Sequence, residues 1–135
     1  MIKKGERIME VSVRCKQGVV FLDVVGEVIG QARFDLNNEI QKQLGSDCLG
    51  VVVNLEKVQI IDPVFLGMLI ANQSSAKRKG KRLIISDPGR SVQYLFVMTK
   101  VEHIFRKDTV QHGSLEFDQY FESEDEIIEA IETYN

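Results

Sequence analysis

The chain carries two prolines, two cysteines, two histidines and no tryptophan. Each shortage excludes something. Cys15 and Cys48 are too far apart in sequence and too few to form a disulfide framework or the clustered ligand spacing of a metal site. They read as reduced thiols of a cytoplasmic protein. His103 and His112 have no nucleophile or carboxylate at a readable spacing, so no catalytic set forms around either. There is no G-x-G-x-x-G, no Walker loop and no G-x-S-x-G elbow. No apolar run approaches the roughly 20 residues that cross a bilayer, which argues against direct membrane insertion. Residues 1–7 are basic but lack the apolar stretch and cleavage site of a secretory signal. These absences predict a protein with no cofactor, no metal and no enzymatic activity.

A second shortage concerns one sign of charge over part of the chain. All 17 Lys and Arg lie in residues 1–107, where 11 acids leave a net charge of +6; residues 108–135 hold nine acids and no Lys or Arg. The tail reads either as a solvated acidic helix or as a surface that steers a basic partner. The chain as a whole is at -3, which argues against nucleic acid as a partner. Its 135 residues, 44% hydrophobic and 27% charged, suit one soluble domain over residues 1–135, with a core at about 9–107 and an acidic hairpin and helix at 108–135.

What is present is a regular alternation of strands and helices. Residues 10–14 alternate and 19–25 are mostly apolar; Gln17-Gly18 between them predicts a hairpin, with Gly26 ending the second strand. Ala32, Leu36, Ile40 and Leu44 form a helical stripe stopped by Gly45. Residues 49–55 are continuously apolar and β-branched, as in a central strand buried on both faces. A helix follows over about 63–79, its end carrying Lys77, Arg78 and Lys79, cations that complement the helix dipole. The next strand is 82–86. Pro88 then opens a helix through Val92, Leu95 and Phe96. Residues 104–106 read as a short edge strand and 108–116 as a loop or hairpin tip. Ser123-Glu124-Asp125-Glu126 is a capping box ahead of Ile127, Ile128 and Ile131.

Both prolines occupy the same kind of place. Asp62-Pro63 and Asp87-Pro88 each follow a strand and open a helix, where Asp caps exposed N–H groups and Pro loses nothing by lacking one. The first pair lies beyond the carboxyl end of a central strand, where open α/β sheets usually bind their partners.

The wording of the central unit resembles the STAS domain of anti-sigma factor antagonists. The resemblance rests on Val51-Val52-Val53-Asn54-Leu55, Val58-Gln59-Ile60-Ile61-Asp62, Leu66-Gly67-Met68-Leu69 and Lys79-Gly80-Lys81-Arg82-Leu83, in that order. The Gly26-Glu27 step and the run Pro88…Val92…Leu95-Phe96…Thr99…Ile104-Phe105 add to it. It implies an α/β fold with a mixed sheet of four or five strands and helices mainly on one face. It also implies a protein-binding regulatory module. In the sigma-regulating branch the partner is an anti-sigma factor that is also a Ser/Thr kinase, and phosphorylation just after the Asp breaks the complex. A dianion placed beside a carboxylate at a docking surface repels and must be desolvated.

The chain departs from the family pattern Asp-Ser/Thr-Ser/Ala-Gly-Leu-Gly at this spot. It reads Asp62-Pro63-Val64-Phe65-Leu66-Gly67, so the acceptor position falls on Pro63, which has no hydroxyl. A second acidic position of the family falls on Ile29. Ser74 and Ser75 lie about 16 Å further along the helix and cannot replace the acceptor. The resemblance therefore implies partner binding through Asp62, Pro63, Val64 and Phe65, with Glu27 and Ile29 as rim, and no phosphorylation site at the joint. Two readings of Phe65 stand: it docks with Val64, or it turns inward and fills the core. An exposed apolar patch of this kind also fits a homodimer. Two other readings are an accessory subunit of an ABC lipid-transport system and a small-ligand-binding α/β domain.

Overall fold

A computed structural model describes residues 8–112, 119–120 and 123–134. The chain begins with a hairpin, β1 (Met9–Lys16) and β2 (Val19–Val28). Gln17 and Gly18 both have positive φ, 53° and 82°. That is the two-residue turn whose twist matches the flanking strands, and it confirms the predicted hairpin. There follow α1 (Gln31–Leu44), β3 (Gly50–Ile61), α2 (Pro63–Arg78), β4 (Arg82–Ser86), α3 (Arg90–Met98), α4 (Glu102–Phe105), β5 (Thr109–Gln111), β6 (Gln119–Tyr120) and α5 (Glu124–Tyr134).

The strands lie side by side in chain order, β1 antiparallel to β2 and every later pair parallel. Five have three residues or more and β6 has two, so the mixed sheet expected from the sequence is present. The order explains the layering. Each parallel step moves the same way along the sheet, and right-handed crossovers then put every connecting helix on the same face. The larger core lies there: Val20, Leu22 and Val24 of β2 and Val51, Val53 and Leu55 of β3 meet Leu36 and Ile40 of α1, Leu66 and Leu69 of α2, and Phe96 and Phe105. The alternate residues Val19, Phe21, Val52, Ile84 and Val110 face the other way and are covered by Ile127, Ile128 and Ile131 of α5.

Several expectations are corrected. Residues 104–106 are not an edge strand. Ile104 and Phe105 belong to the one-turn α4, whose Phe105 ring stacks on Phe96 with centroids 5.4 Å apart. Residues 109–111 are not loop but β5, a buried parallel strand whose polar Thr109 and preceding Asp108 hid it. The hairpin tip at Gly113 and Ser114 lies outside the described residues. Gly26 does not end β2, which continues to Val28, and β3 runs six residues past Leu55, to Ile61. Asp87 does not cap α3; Gly89 holds that position and makes no side-chain cap bond. The Asp87 carboxylate instead accepts from the His112 backbone N–H at 2.8 Å, and His112 Nδ1 lies 2.5 Å from its other oxygen. His112 therefore does have a carboxylate neighbour, brought by the β4–β5 pairing and invisible as sequence spacing.

The acidic helix is partly spent within the molecule. Ser123 caps it by accepting from Glu126 N–H at 3.3 Å. Arg14 of β1 donates from Nη2 to Glu124 at 2.7 Å and from Nε to Asp23 at 2.5 Å, with its guanidinium over the Phe21 ring. Lys16 pairs with Asp125 at 2.8 Å. The Arg14 hydrogen bonds hold the Asp23 and Glu124 carboxyls below their ordinary values. Lowered native values contribute stability that is complete above the unfolded values of 3.8 and 4.5 and is lost as pH falls through the native ones. Unfolding by urea should therefore become easier in acid, with a smaller pH dependence in Arg14→Ala. The difference should be about 1 kcal/mol or less, because the pair is half open to water. Equal pH profiles for the two proteins would remove the pair from the acid response.

Candidate functional site

The joint between β3 and α2 is built from a cap and a bulge. Asp62 has extended backbone and its Oδ1 accepts from the Phe65 N–H at 2.9 Å, with Pro63 in the first helical turn. This is the predicted capping geometry. The second carboxylate oxygen accepts from Arg33 Nη1 of α1 at 2.6 Å, each side chain about one quarter exposed. Asp62 is thus neutralised from one side and hydrogen-bonded to the helix start from the other. Both contacts fix the corner relative to α1.

The pairing of β2 with β3 slips at this place. Gly26 is opposite Val58 but Glu27 is opposite Ile60, so β3 carries one extra residue. A bulge re-aims the side chain that follows it. Val58 and Ile61 point inward while Ile60, which strict alternation would bury, is 45% exposed. Gly26 takes φ +111°, and a Cβ there would lie 2.0 Å from the Ile8 carbonyl oxygen; only glycine fits. The carbonyl of Gln59 in the bulge accepts from Ser91 Oγ at 2.6 Å, which ties the start of α3 to the same corner.

The expected site residues separate into three groups. Pro63 and Val64 are exposed, Val64 to 52%. Glu27, Ile29 and Asp62 are half-buried around them. Phe65 is fully buried and packs in the larger core, so of its two readings the inward one holds. The reason is position: with Asp62 as cap, Phe65 and Leu66 fall on the flank of α2 that faces the sheet, along with Leu69. Three residues of the corner were missed. Ile60 needed the bulge, which no propensity signals. Arg33 and Phe34 sit on the predicted α1 helix but reach the corner only by tertiary packing; the Arg33 guanidinium lies 5.6 Å from the half-exposed Phe34 ring while holding Asp62.

Chemically, this is a rigid apolar corner with a neutralised carboxylate beneath it. No group of His, Cys, Asp and Glu among the described residues is placed to hold a metal ion. No helix of the described residues is long and apolar enough to cross a membrane.

The site thus lies on an open α/β domain, at the carboxyl end of β3 where α2 begins. The chain belongs to the STAS domain family, whose sequence model matches residues 10–116. No curated protein sequence matches it. Its fold is similar to that of an anti-sigma factor antagonist from Mycobacterium paratuberculosis, with TM-score 0.69 and 16% identity over 92% of this chain and 94% of that one. The unphosphorylated form of the anti-sigma factor antagonist SpoIIAA gives TM-score 0.70 and 13% identity over 92% and 97%. A sulfate transporter family protein from Wolinella succinogenes gives TM-score 0.61 and 13% identity over 87% and 88%.

Proposed function

We propose that the chain is a non-enzymatic, cytoplasmic protein-binding module of the anti-sigma factor antagonist kind. It captures an anti-sigma factor, or a similar kinase-like regulator, through the β3–α2 corner. The observation that carries this reading is the exposed apolar edge of Ile60, Pro63 and Val64, held rigid by the Asp62 cap and the Arg33 ion pair. A preorganised apolar corner loses little entropy on docking, and burying one such side chain is worth about 1.5–3 kcal/mol. Pro63 offers no hydroxyl, so binding here runs without the phosphorylation switch, and abundance of the module sets occupancy. Glu27 and Ile29 complete the rim.

The test is capture of a histidine-kinase-like anti-sigma factor by the wild type and by Val64→Asp. The carboxylate would have to be desolvated in the complex, so capture should fall about tenfold or more. Stability should change by no more than about 0.5 kcal/mol, since position 64 is exposed in the first helical turn, where an acid suits the dipole. Equal capture by both would sink the corner as a docking site. Incubation with ATP and the kinase should leave residue 63 unlabelled; label on the exposed Ser74 or the half-buried Ser75 would restore a switch.

Likeness to a sulfate transporter family protein supports a second reading, a STAS subunit attached to transport machinery, such as the ATPase of an ABC lipid-transport system. Co-purification of an ATPase in place of the anti-sigma factor, lost in the same Val64→Asp variant, would favour it.

A further inference from the structure

We propose that the groove between β1 and α1 receives a basic extended segment of a partner protein, which adds to β1 as a further strand. The groove adjoins the β3–α2 corner at Ile29 but shares none of its exposed edge of Ile60, Pro63 and Val64, and the inference does not depend on the function proposed for that corner.

Three observations meet in this groove. First, it is sizeable, about 700 Å³, and open to one side. Its floor is apolar, with Ile8, Val11 and Ile29 among the lining residues. Second, among the described residues β1 is the edge strand of the sheet and pairs only with β2, and residues 8–11 of the chain run along the groove in succession. Alternate N–H and C=O groups of an edge strand point away from its neighbour and are free to pair with an incoming chain. Third, the rim is acidic. Asp35 and Glu39 stand one turn apart on the flank of α1 that lines it.

These carboxylates are not neutralised as Asp62 is. Among the described residues Asp35 accepts only from the Gln31 amide at 3.3 Å, and Glu39 only from the Gln43 amide at 3.3 Å. Among the described residues no Lys or Arg forms an ion pair with Asp35 or Glu39. By contrast, the acids on the opposite face of β1 are matched: Arg14 takes Asp23 and Glu124, and Lys16 takes Asp125. The unmatched side is therefore a local excess of negative charge over an apolar floor beside an open strand edge.

That combination selects its occupant. Strand addition supplies backbone hydrogen bonds, the floor accepts alternate apolar side chains, and the rim favours Lys or Arg between them. A second copy of this chain fits poorly, because pairing two β1 edges about a two-fold axis brings one acidic rim against the other.

The probe is a short fluorescein-labelled peptide alternating Lys and Val, read by polarisation against the full chain. Binding should weaken about tenfold or more in an Asp35→Lys, Glu39→Lys double variant and should fall with added salt. A Glu129→Lys, Glu132→Lys variant, altered on the exposed face of α5, should bind as wild type does, and so should Val64→Asp. Amide shifts on binding should cluster at residues 8–11 and 29–39. A peptide with Glu for Lys, or with a central Pro that removes a ladder donor, should not bind. Binding within twofold of wild type by the Asp35→Lys, Glu39→Lys protein would overturn the proposal. So would equal binding of the Glu or Pro peptide, or a dimer of the free chain that the same double substitution dissolves. Failure of the corner's own test, with these results intact, would leave the groove standing.

Discussion

Asp108→Ala is expected to lower the stability of the chain by about 3–5 kcal/mol, the range for breaking one half of a buried ion pair. Asp108 is only 3% exposed and joins three elements. Its Oδ1 accepts from Arg82 Nε of β4 at 2.9 Å, and its Oδ2 accepts from Gln73 Nε2 of α2 at 2.7 Å. Gln73 also donates to the Ile104 carbonyl at 3.0 Å, and Arg82 to the carbonyl of Lys107. The network therefore pins the turn between α4 and β5 onto α2 and β4. Arg82 is almost fully buried, and alanine at 108 removes a carboxylate that accepts from its Nε at 2.9 Å there. Small domains are stable by only about 5–15 kcal/mol, so the loss is a large fraction of the total. Chemical unfolding with a double-mutant cycle measures it: Asp108→Leu combined with Arg82→Met removes both charges and should recover most of the loss. If Asp108→Ala alone lost less than about 1 kcal/mol, the pair would count as no more than a surface bridge.

This same network shows where sequence reading ends. Local signals were sufficient for the hairpin at Gln17-Gly18, the Asp62-Pro63 helix start, the stripe of Ala32, Leu36, Ile40 and Leu44, and the Ser123 cap. Each is written within a few residues and needs no distant partner. The stretch from Ile104 to Gln111 was misread because its logic is long-range. Ile104-Phe105 reads as strand until Phe96 supplies a stacking surface, and Asp108-Thr109 reads as loop until Arg82 and Gln73 satisfy the buried carboxylate. The candidate site divides the same way. Asp62, Pro63 and Val64 were legible as a helix start. Ile60 was not, since its exposure follows from an extra residue in the β2–β3 register. Arg33 was not, since its role is set by a partner 29 positions away. The acidic tail was legible as a charge imbalance, but its pairing with Arg14 spans 110 positions and needed the sheet to bring it about.

Phe65→Ala is expected to cost about 3–5 kcal/mol, as for other buried aromatic truncations, and the contrast with Val64→Asp separates core from surface at adjacent positions. Phe65 is 0% exposed and belongs to the same cluster as Leu22, Val53, Val58 and Ile61, so removing its ring opens a cavity where α2 meets the end of β3. Its backbone N–H would still reach Asp62, so the cap and the exposed edge keep their chemistry while losing the packing beneath them. Phe65→Leu keeps most of the volume and should cost less than about 1.5 kcal/mol. Two measurements on the same proteins decide the matter. Chemical unfolding should show a large loss for Phe65→Ala, a small one for Phe65→Leu and almost none for Val64→Asp. Partner capture, measured where all remain folded, should rank the other way: near normal for Phe65→Leu and strongly reduced for Val64→Asp. A Phe65→Leu protein of native stability that fails to capture would place the ring in the contact surface, contrary to its burial.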